Sequence, residues 1–227
     1  MFRRMFVQDI VVTVEGCIGT GKSSFLDFFQ SKKNFHIRKE PLDEWTSANN
    51  QFNLLRAYYE NPDRNSFLFQ THVILTNQRR RIQQNRGVTM VERLMGHKIF
   101  ARLLHMDGKL TDMEMYVLTQ LDLELQRHLP TPQLTIYLQC SAETAVTRVA
   151  KRGRGEEKSI KLDYLRRLVQ QHDEWLIDQC DLIDGRIWVV NCELELESLK
   201  EIYQTLEARL KKRDLGNEKI TYFGFNK

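Results

Sequence analysis

Short runs dominated by apolar and β-branched residues, such as Ile10-Val11-Val12-Thr13-Val14, recur along the chain and alternate with longer stretches of helical periodicity. Five such runs, at 10–15, 36–39, 88–92, 134–139 and 186–190, predict buried parallel strands. The stretches between them predict helices over 22–31, 45–60, 66–85, 96–106, 111–128, 142–151, 162–180 and 196–212. Stop signals fall where this scheme needs them, at Asn61-Pro62, Gly87, Gly108, and Pro130 with Pro132. Ser141 is placed to cap the helix that follows it, with Glu143 in the first turn opposing the dipole. The pattern predicts one α/β domain over 1–227, a five-stranded parallel sheet flanked by helices. No repeat or low-complexity tract interrupts it. The longest stretch without apolar anchors, at 151–159, is glycine-containing and densely charged, which predicts a mobile loop over a site.

The first strand runs into Gly16-Cys17-Ile18-Gly19-Thr20-Gly21-Lys22-Ser23, followed by Ser24 and a helical pattern. This is GxxxxGKS between strand and helix. Its glycines let the backbone wrap a polyphosphate, and the helix N-terminus aims amide donors at it. Lys22 reaches the outer phosphates and the Ser23 hydroxyl can sit on Mg²⁺. Composition alone would produce the pattern in roughly one chain in a hundred, and the strand-loop-helix context lowers that further. A nucleoside triphosphate site follows, but not its acceptor. No NKxD-type base reader or later DxxG of a switch GTPase is present.

Residues at the ends of the second and third strands carry the candidate chemistry. Glu40, held extended by Pro41, faces the crevice where ligands bind in open α/β sheets. It suits a general base taking a proton from a hydroxyl, although the tripeptide alone does not separate this from a solvated carboxylate. Glu92 could hold Mg²⁺ and Arg93 could steady a transferring phosphoryl group, with a structural ion pair as the alternative. Phe67, Gln70, Ile74 and Asn77 share one helix face, and two amides in an apolar stripe can read a nucleobase edge. Trp45, Phe69 and Phe100 could wall such a base, though core packing is the commoner use of an aromatic. Arg148 and Arg152 at a helix end, with Arg154 beyond, could neutralise phosphate charge from a closing lid. The adjacent acidic residues Glu156-Glu157 suit a sugar hydroxyl better than a phosphate.

Composition narrows the field. The 227 residues suffice for one sizeable core. No apolar run reaches bilayer length, so no membrane role is expected. The net charge of +4, from 34 basic and 30 acidic residues, is too balanced to argue for nucleic acid. The four cysteines, Cys17, Cys140, Cys180 and Cys192, form no CxxC pair, which fits a reducing compartment such as the cytoplasm. The start, at 1–8, reads as too short for a transit sequence and has no cleavage-like site.

The ordered motifs GCIGTGKS, EPLDEW, YYENPDRNSFLFQT, VER, RVAKRGRGEE and IKLDYLRRLVQQHDEWL, from Val11 to Leu176, resemble those of deoxyribonucleoside kinases. This is the group containing deoxycytidine, deoxyguanosine, mitochondrial thymidine and insect multisubstrate kinases. The resemblance implies a P-loop kinase fold that moves the ATP γ-phosphoryl group to the 5′-hydroxyl of a small-molecule deoxynucleoside in nucleotide salvage. It implies Glu40 as general base, Arg93 at the 5′-oxygen, and Ser23 and Glu92 on Mg²⁺. Tyr59 and Glu157 would bind the sugar 3′-hydroxyl, and Gln70 would pair with the base. Ile18, Trp45, Phe69 and Phe100 would line the base pocket, and Arg148, Arg152 and Arg154 would form the lid. Similar enzymes are homodimers joined through helices beside the sheet, often inhibited by an end-product triphosphate. This chain departs from the usual pattern in reading Glu92-Arg93-Leu94 rather than Glu-Arg-Ser, in a shorter stretch before Ile99-Phe100, and in Cys17. Asn77 stands where relatives vary between Arg and Met, so base preference stays open. A thymidylate-like monophosphate kinase and a non-catalytic nucleotide-binding relative are the competing readings.

Overall fold

A computed structural model describes residues 9–81, 86–127, 131–157 and 160–225. The expectations at 1–8, at the helix ends 82–85 and 128, and at 158–159 of the charged loop lie outside the described residues.

The strands are β1 (Ile10–Glu15), β2 (Phe35–Arg38), β3 (Val88–Glu92), β4 (Leu134–Gln139), β5 (Arg186–Asn191) and β6 (Ile220–Phe223). They form one sheet in the order β2-β3-β1-β4-β5-β6, with every neighbouring pair parallel. The expectation of five strands is therefore corrected to six. The sixth is four residues long, pairs Ile220–Phe223 against Ile187–Val190, and is only partly covered. Its anchor is tertiary: Phe223 meets Trp188 edge-on, with ring centroids 5.5 Å apart. A short edge strand with no buried face carries little periodic signal.

Nine helices lie among the described residues: α1 (Lys22–Gln30), α2 (Leu42–Thr46), α3 (Leu54–Glu60), α4 (Pro62–Arg81), α5 (His97–Met106), α6 (Asp112–Gln126), α7 (Ala142–Arg152), α8 (Leu162–Asp173) and α9 (Leu196–Lys212). The helix expected over 45–60 is two helices. Between them Asn49 and Asn50 take φ of 50° and 56°, a conformation Asn tolerates, and Asn53 caps α3 by accepting from the Arg56 N–H. The next helix starts four residues before the expected Ser66, with Pro62 at its first position and the Asn61 side chain accepting from the Arg64 N–H. The helix expected over 162–180 ends at Asp173 and passes into a π turn, Glu174–Asp178, then a 3₁₀ turn, Cys180–Leu182. Ser141 caps α7 as predicted, accepting from the Thr144 N–H at 3.1 Å.

Alternate residues of the strands send Val12, Val14, Met90, Ile136, Leu138, Trp188 and Val190 into the main core. Phe25, Leu26 and Phe29 of α1 and Leu206 and Leu210 of α9 join them. A second cluster belongs to the helices between β2 and β4, with Trp45, Tyr58, Phe69, Val73, Ile74, Ala101, Leu104 and Leu118. Because β1 lies between β3 and β4, the connections leaving β1 and β3 turn to opposite sides of the sheet. A crevice therefore opens at their carboxyl ends.

The α6 terminus carries a capping box: Thr111 Oγ1 accepts from the Glu114 N–H, and Glu114 Oε2 accepts from the Thr111 N–H. Thr111→Ala is expected to cost about 1 kcal/mol. Denaturant unfolding at neutral pH checks this, and an unchanged midpoint would contradict it.

Candidate active site

A cavity of about 810 Å³ occupies this crevice, within the range of small-molecule sites. Ile18 to Ser24 line one end, and Trp45, Leu55, Tyr58, Phe69, Gln70 and Val73 line the other. Glu40, Glu92, Arg93 and Phe100 also line the cavity.

The loop after β1 is held close to its neighbours. A Cβ at Gly19, where φ is 87°, would stand 2.5 Å from the Ala145 carbonyl oxygen, so only glycine fits. Lys22 Nζ crosses beneath the loop, donating to the Cys17 carbonyl at 2.7 Å and the Gly16 carbonyl at 3.0 Å. Burial, together with the Arg93 cation, lowers the Lys22 ammonium to about 8, against the pull of Glu92 and Glu40. Gly16 and Cys17 are not among the cavity-lining residues. Gly16 serves through its carbonyl, and burial pushes the Cys17 thiol up to about 12.

At the strand ends, polar and charged groups are linked in a chain. Ser23 Oγ donates to Glu92 Oε1 at 3.3 Å, and the Glu40 N–H donates to Glu92 Oε2 at 3.2 Å. Glu40 Oε1 then receives Arg93 Nη1 at 2.6 Å, with both side chains about 10 % exposed. Arg93 Nη2 reaches the Gly16 carbonyl at 3.4 Å, and the guanidinium lies 4.8 Å from the centre of the Phe100 ring. Burial opposes the Arg93 charge, but Glu40, Glu92 and Glu15 outweigh it and raise the guanidinium further. Arg93 also holds φ of 45°, uncommon for a side-chain-bearing residue and a form of strain that gathers at functional sites.

Glu15 supports this turn from beneath. Its Oε1 accepts from Thr13 Oγ1 at 2.5 Å and from the Met95 N–H at 2.9 Å. A Cβ at Gly96 would come within 2.5 Å of Glu15 Oε2 and 2.9 Å of Arg93 Cγ, so a side chain there would displace both. Leu94 is buried and sends its N–H to Thr13 Oγ1 at 3.2 Å.

The apolar end is built from α2 to α5. Phe69 stacks on Tyr58, with centroids 5.1 Å apart and planes 14° apart, and meets Trp45 edge-on. Trp45 Nε1 donates to Thr76 Oγ1 at 3.0 Å, which fixes the indole. Gln70 is buried on this wall, with Oε1 unpartnered in the protein. Asn77 lies elsewhere than its spacing suggested: it is buried, Nδ2 donates to the Arg93 carbonyl at 3.5 Å, and it is not among the lining residues.

The charged turn after α7 closes one side. Arg152 and Arg154 both pair with Glu157, the latter at 3.3 Å, and Arg148 Nη2 donates to the Cys192 carbonyl at 2.8 Å. All four line the cavity with Tyr59, whose phenol is pushed up by burial and then by Tyr58 and Glu157. Glu156 instead faces α3, accepting from Asn53 Nδ2 at 3.2 Å.

Several lining residues escaped the sequence reading. Phe28 of α1 and Leu196, Leu199, Lys200 and Tyr203 of α9 also line it, as do Tyr164 and His97. In sequence they belong to ordinary amphipathic helices, and only the packing of α9 beside α1 brings the first five together. Among the described residues no group of three or more His, Cys, Asp or Glu could hold a metal. Ser23 Oγ and the Glu92 carboxylate form a two-oxygen donor set, which fits Mg²⁺ completed by phosphate and water oxygens.

The low position of Lys22 sets a pH dependence. A bound polyphosphate favours the protonated ammonium, so binding is insensitive to Lys22 below about 8 and weakens as pH rises beyond it. Calorimetry with inorganic tripolyphosphate is expected to show this decline and proton uptake on binding near pH 8, both absent in Lys22→Met. A flat profile in the unmodified protein would contradict it.

The family model for deoxynucleoside kinases matches residues 12–212. Human mitochondrial thymidine kinase 2 is 30% identical over 205 residues, covering 88% of this chain and 77% of that protein. The putative kinase protein 029R of invertebrate iridescent virus 3 is 30% identical over 207 residues, covering 89% of this chain and 98% of that protein. Human deoxycytidine kinase is 29% identical over 195 residues, covering 73% of this chain and 75% of that protein. With a matched region spanning the phosphate loop, the Glu40–Arg93 pair at the strand ends and the arginine turn, this chain belongs to the deoxynucleoside kinase family.

Proposed function

We propose that this protein transfers the γ-phosphoryl group of ATP to the 5′-hydroxyl of a deoxyribonucleoside, giving the 5′-monophosphate and ADP. The observation that carries this reading is the Glu40–Arg93 pair at 2.6 Å, lining one cavity with the phosphate loop and the aromatic wall. The hydroxyl oxygen attacks the γ-phosphorus in line as the bond to the β-phosphate bridging oxygen breaks, and the hydroxyl proton passes to Glu40. Arg93 neutralises charge on the attacking oxygen and the transferring group. Lys22 and the arginines Arg148, Arg152 and Arg154 neutralise the phosphates. Mg²⁺, held by Ser23 and Glu92, would screen charge on the outer phosphates. Trp45, Phe69 and Phe100 would wall the base, Gln70 would pair with its edge, and Tyr59 and Glu157 would meet the sugar 3′-hydroxyl. A monophosphate acceptor fits less well, because its dianion would approach Glu40 and Glu157.

All four cysteines are free. No helix among the described residues is long and apolar enough to cross a membrane. A second copy of the chain is the partner this reading expects. Leu68 and Leu75 of α4, with Met113, Tyr116, Val117 and Leu123 of α6, are exposed at helical spacing on two helices that pack together.

ATP-dependent phosphorylation of the four natural deoxynucleosides, run beside their monophosphates, tests the reaction. Glu40→Gln is expected to lower turnover by on the order of 10²–10⁴ while nucleotide binding persists. Preference for monophosphates, or full turnover in the variant, would overturn the reading. Sedimentation tests the pairing: the unmodified protein should run as a dimer, and Met113→Glu with Val117→Glu should yield monomer.

A further inference from the structure

Glu15 ends β1 with a fully buried side chain, and only half of its carboxylate is used. Oε1 accepts from Thr13 Oγ1 and from the Met95 N–H, whereas Oε2 is enclosed and has no hydrogen-bond partner in the protein. Arg93 shows the matching deficit. Its Nη1 and Nη2 are bound by Glu40 and the Gly16 carbonyl, yet Nε is enclosed and without a partner. Both side chains border the space at Gly96, where an added Cβ would stand 2.5 Å from Glu15 Oε2, 2.9 Å from Arg93 Cγ and 3.6 Å from Arg93 Cδ. An unpaired acceptor and an unpaired donor of opposite charge thus flank one gap. Buried groups of this kind are costly, and each calls for a reason. Against burial, Glu40, Glu92 and then Glu15 already raise the Arg93 guanidinium, so Glu15 acts on it electrostatically without a hydrogen bond to Nε.

The reaction proposed above creates a need that this arrangement meets. When the hydroxyl proton passes to Glu40, that carboxylate becomes neutral, while Arg93 keeps its charge. Arg93 then loses its paired anion in a buried site where Lys22 is a second cation. Glu92 is already committed, with Oε1 on Ser23 Oγ and Oε2 on the Glu40 N–H. Resting on the kinase reading, we propose that Glu15 is a positioning residue, a reserve counter-charge whose Oε2 accepts from Arg93 Nε as Glu40 is protonated. No covalent bond changes in this shift: Nε keeps its hydrogen and Glu15 stays a carboxylate. Arg93 is thereby held at the attacking oxygen while its first partner is neutralised, which lowers the cost of moving the proton to Glu40.

Glu15→Gln tests this, because the amide oxygen can keep the bonds of Oε1 while an NH₂ group replaces Oε2. With ATP and an accepted deoxynucleoside, kcat is expected to fall by about tenfold or more, with both KM values changed by less than about twofold. An unchanged kcat, or a loss confined to KM, overturns the assignment and leaves the reaction standing. Proton–nitrogen NMR with labelled arginine gives a second readout that needs no turnover. Glu40→Gln imitates the protonated base, so the Arg93 Nε–H resonance should move downfield there relative to the unmodified protein. Adding Glu15→Gln should abolish that move. An Nε–H unmoved by Glu40→Gln, or moved equally in the double variant, overturns the proposal. The kinetics decide where Glu40→Gln fails to fold, and the shift in Glu40→Gln alone decides where Glu15→Gln does. Failure of the unmodified protein to phosphorylate any nucleoside overturns the reaction and Glu15's part in it, an outcome distinct from an active enzyme indifferent to Glu15→Gln.

Discussion

The Glu40–Arg93 ion pair is the constraint around which the site is arranged. Both side chains are largely withdrawn from water, and a buried charge is tolerable only when its partners satisfy it. Removing one member of such a pair commonly costs about 3–5 kcal/mol, because the other is left stranded. Arg93 therefore needs Glu40 and the Gly16 carbonyl, and Lys22 needs the carbonyls of the phosphate loop. Glu92 links the two halves, accepting from Ser23 on the loop side and from the Glu40 backbone on the other. Three chain segments far apart in sequence are thus held in one register by charge satisfaction.

Beneath this layer, the sheet supplies rigidity. β1, β3 and β4 are adjacent, and their buried side chains leave little room for a shift of register. The turn after β3 is the strained part, with Arg93 in a left-handed conformation and Gly96 pressed against Glu15. Leu94, which departs from Glu-Arg-Ser, is buried and its N–H donates to Thr13 Oγ1. Strain of this kind persists where surrounding bonds over-determine it, and Thr13 with Glu15 provides those bonds.

The second hydrophobic cluster does different work. Trp45, Tyr58 and Phe69 pack together and also form the cavity wall, so core and binding surface are the same residues. The Asp122 network ties α4, α5 and α6 into one layer behind that wall. A polar network enclosed this way is stiff because each member depends on the others.

Much of the fold was legible in the sequence because parallel strands buried on both faces leave dense apolar runs, and the phosphate loop leaves a spaced glycine signature. Glu40, Glu92 and Arg93 were legible because strand ends in an open α/β sheet face the crevice. Asn77 and β6 were not, for opposite reasons. Helical spacing put Asn77 on the Gln70 face, yet a helix face is wider than a cavity, and Asn77 packs against the Arg93 backbone. β6 exists through its pairing with β5 and the Phe223–Trp188 contact, neither of which is local. The α9 residues were silent for the same reason, since each reads as one more position on an amphipathic helix. The sequence by itself determined the segments of β1 to β5 and which residues stand at their ends, because periodicity and turn chemistry are local. Only the tertiary structure decided which side chains meet across the crevice, because burial and charge pairing are properties of segments brought together from the whole chain.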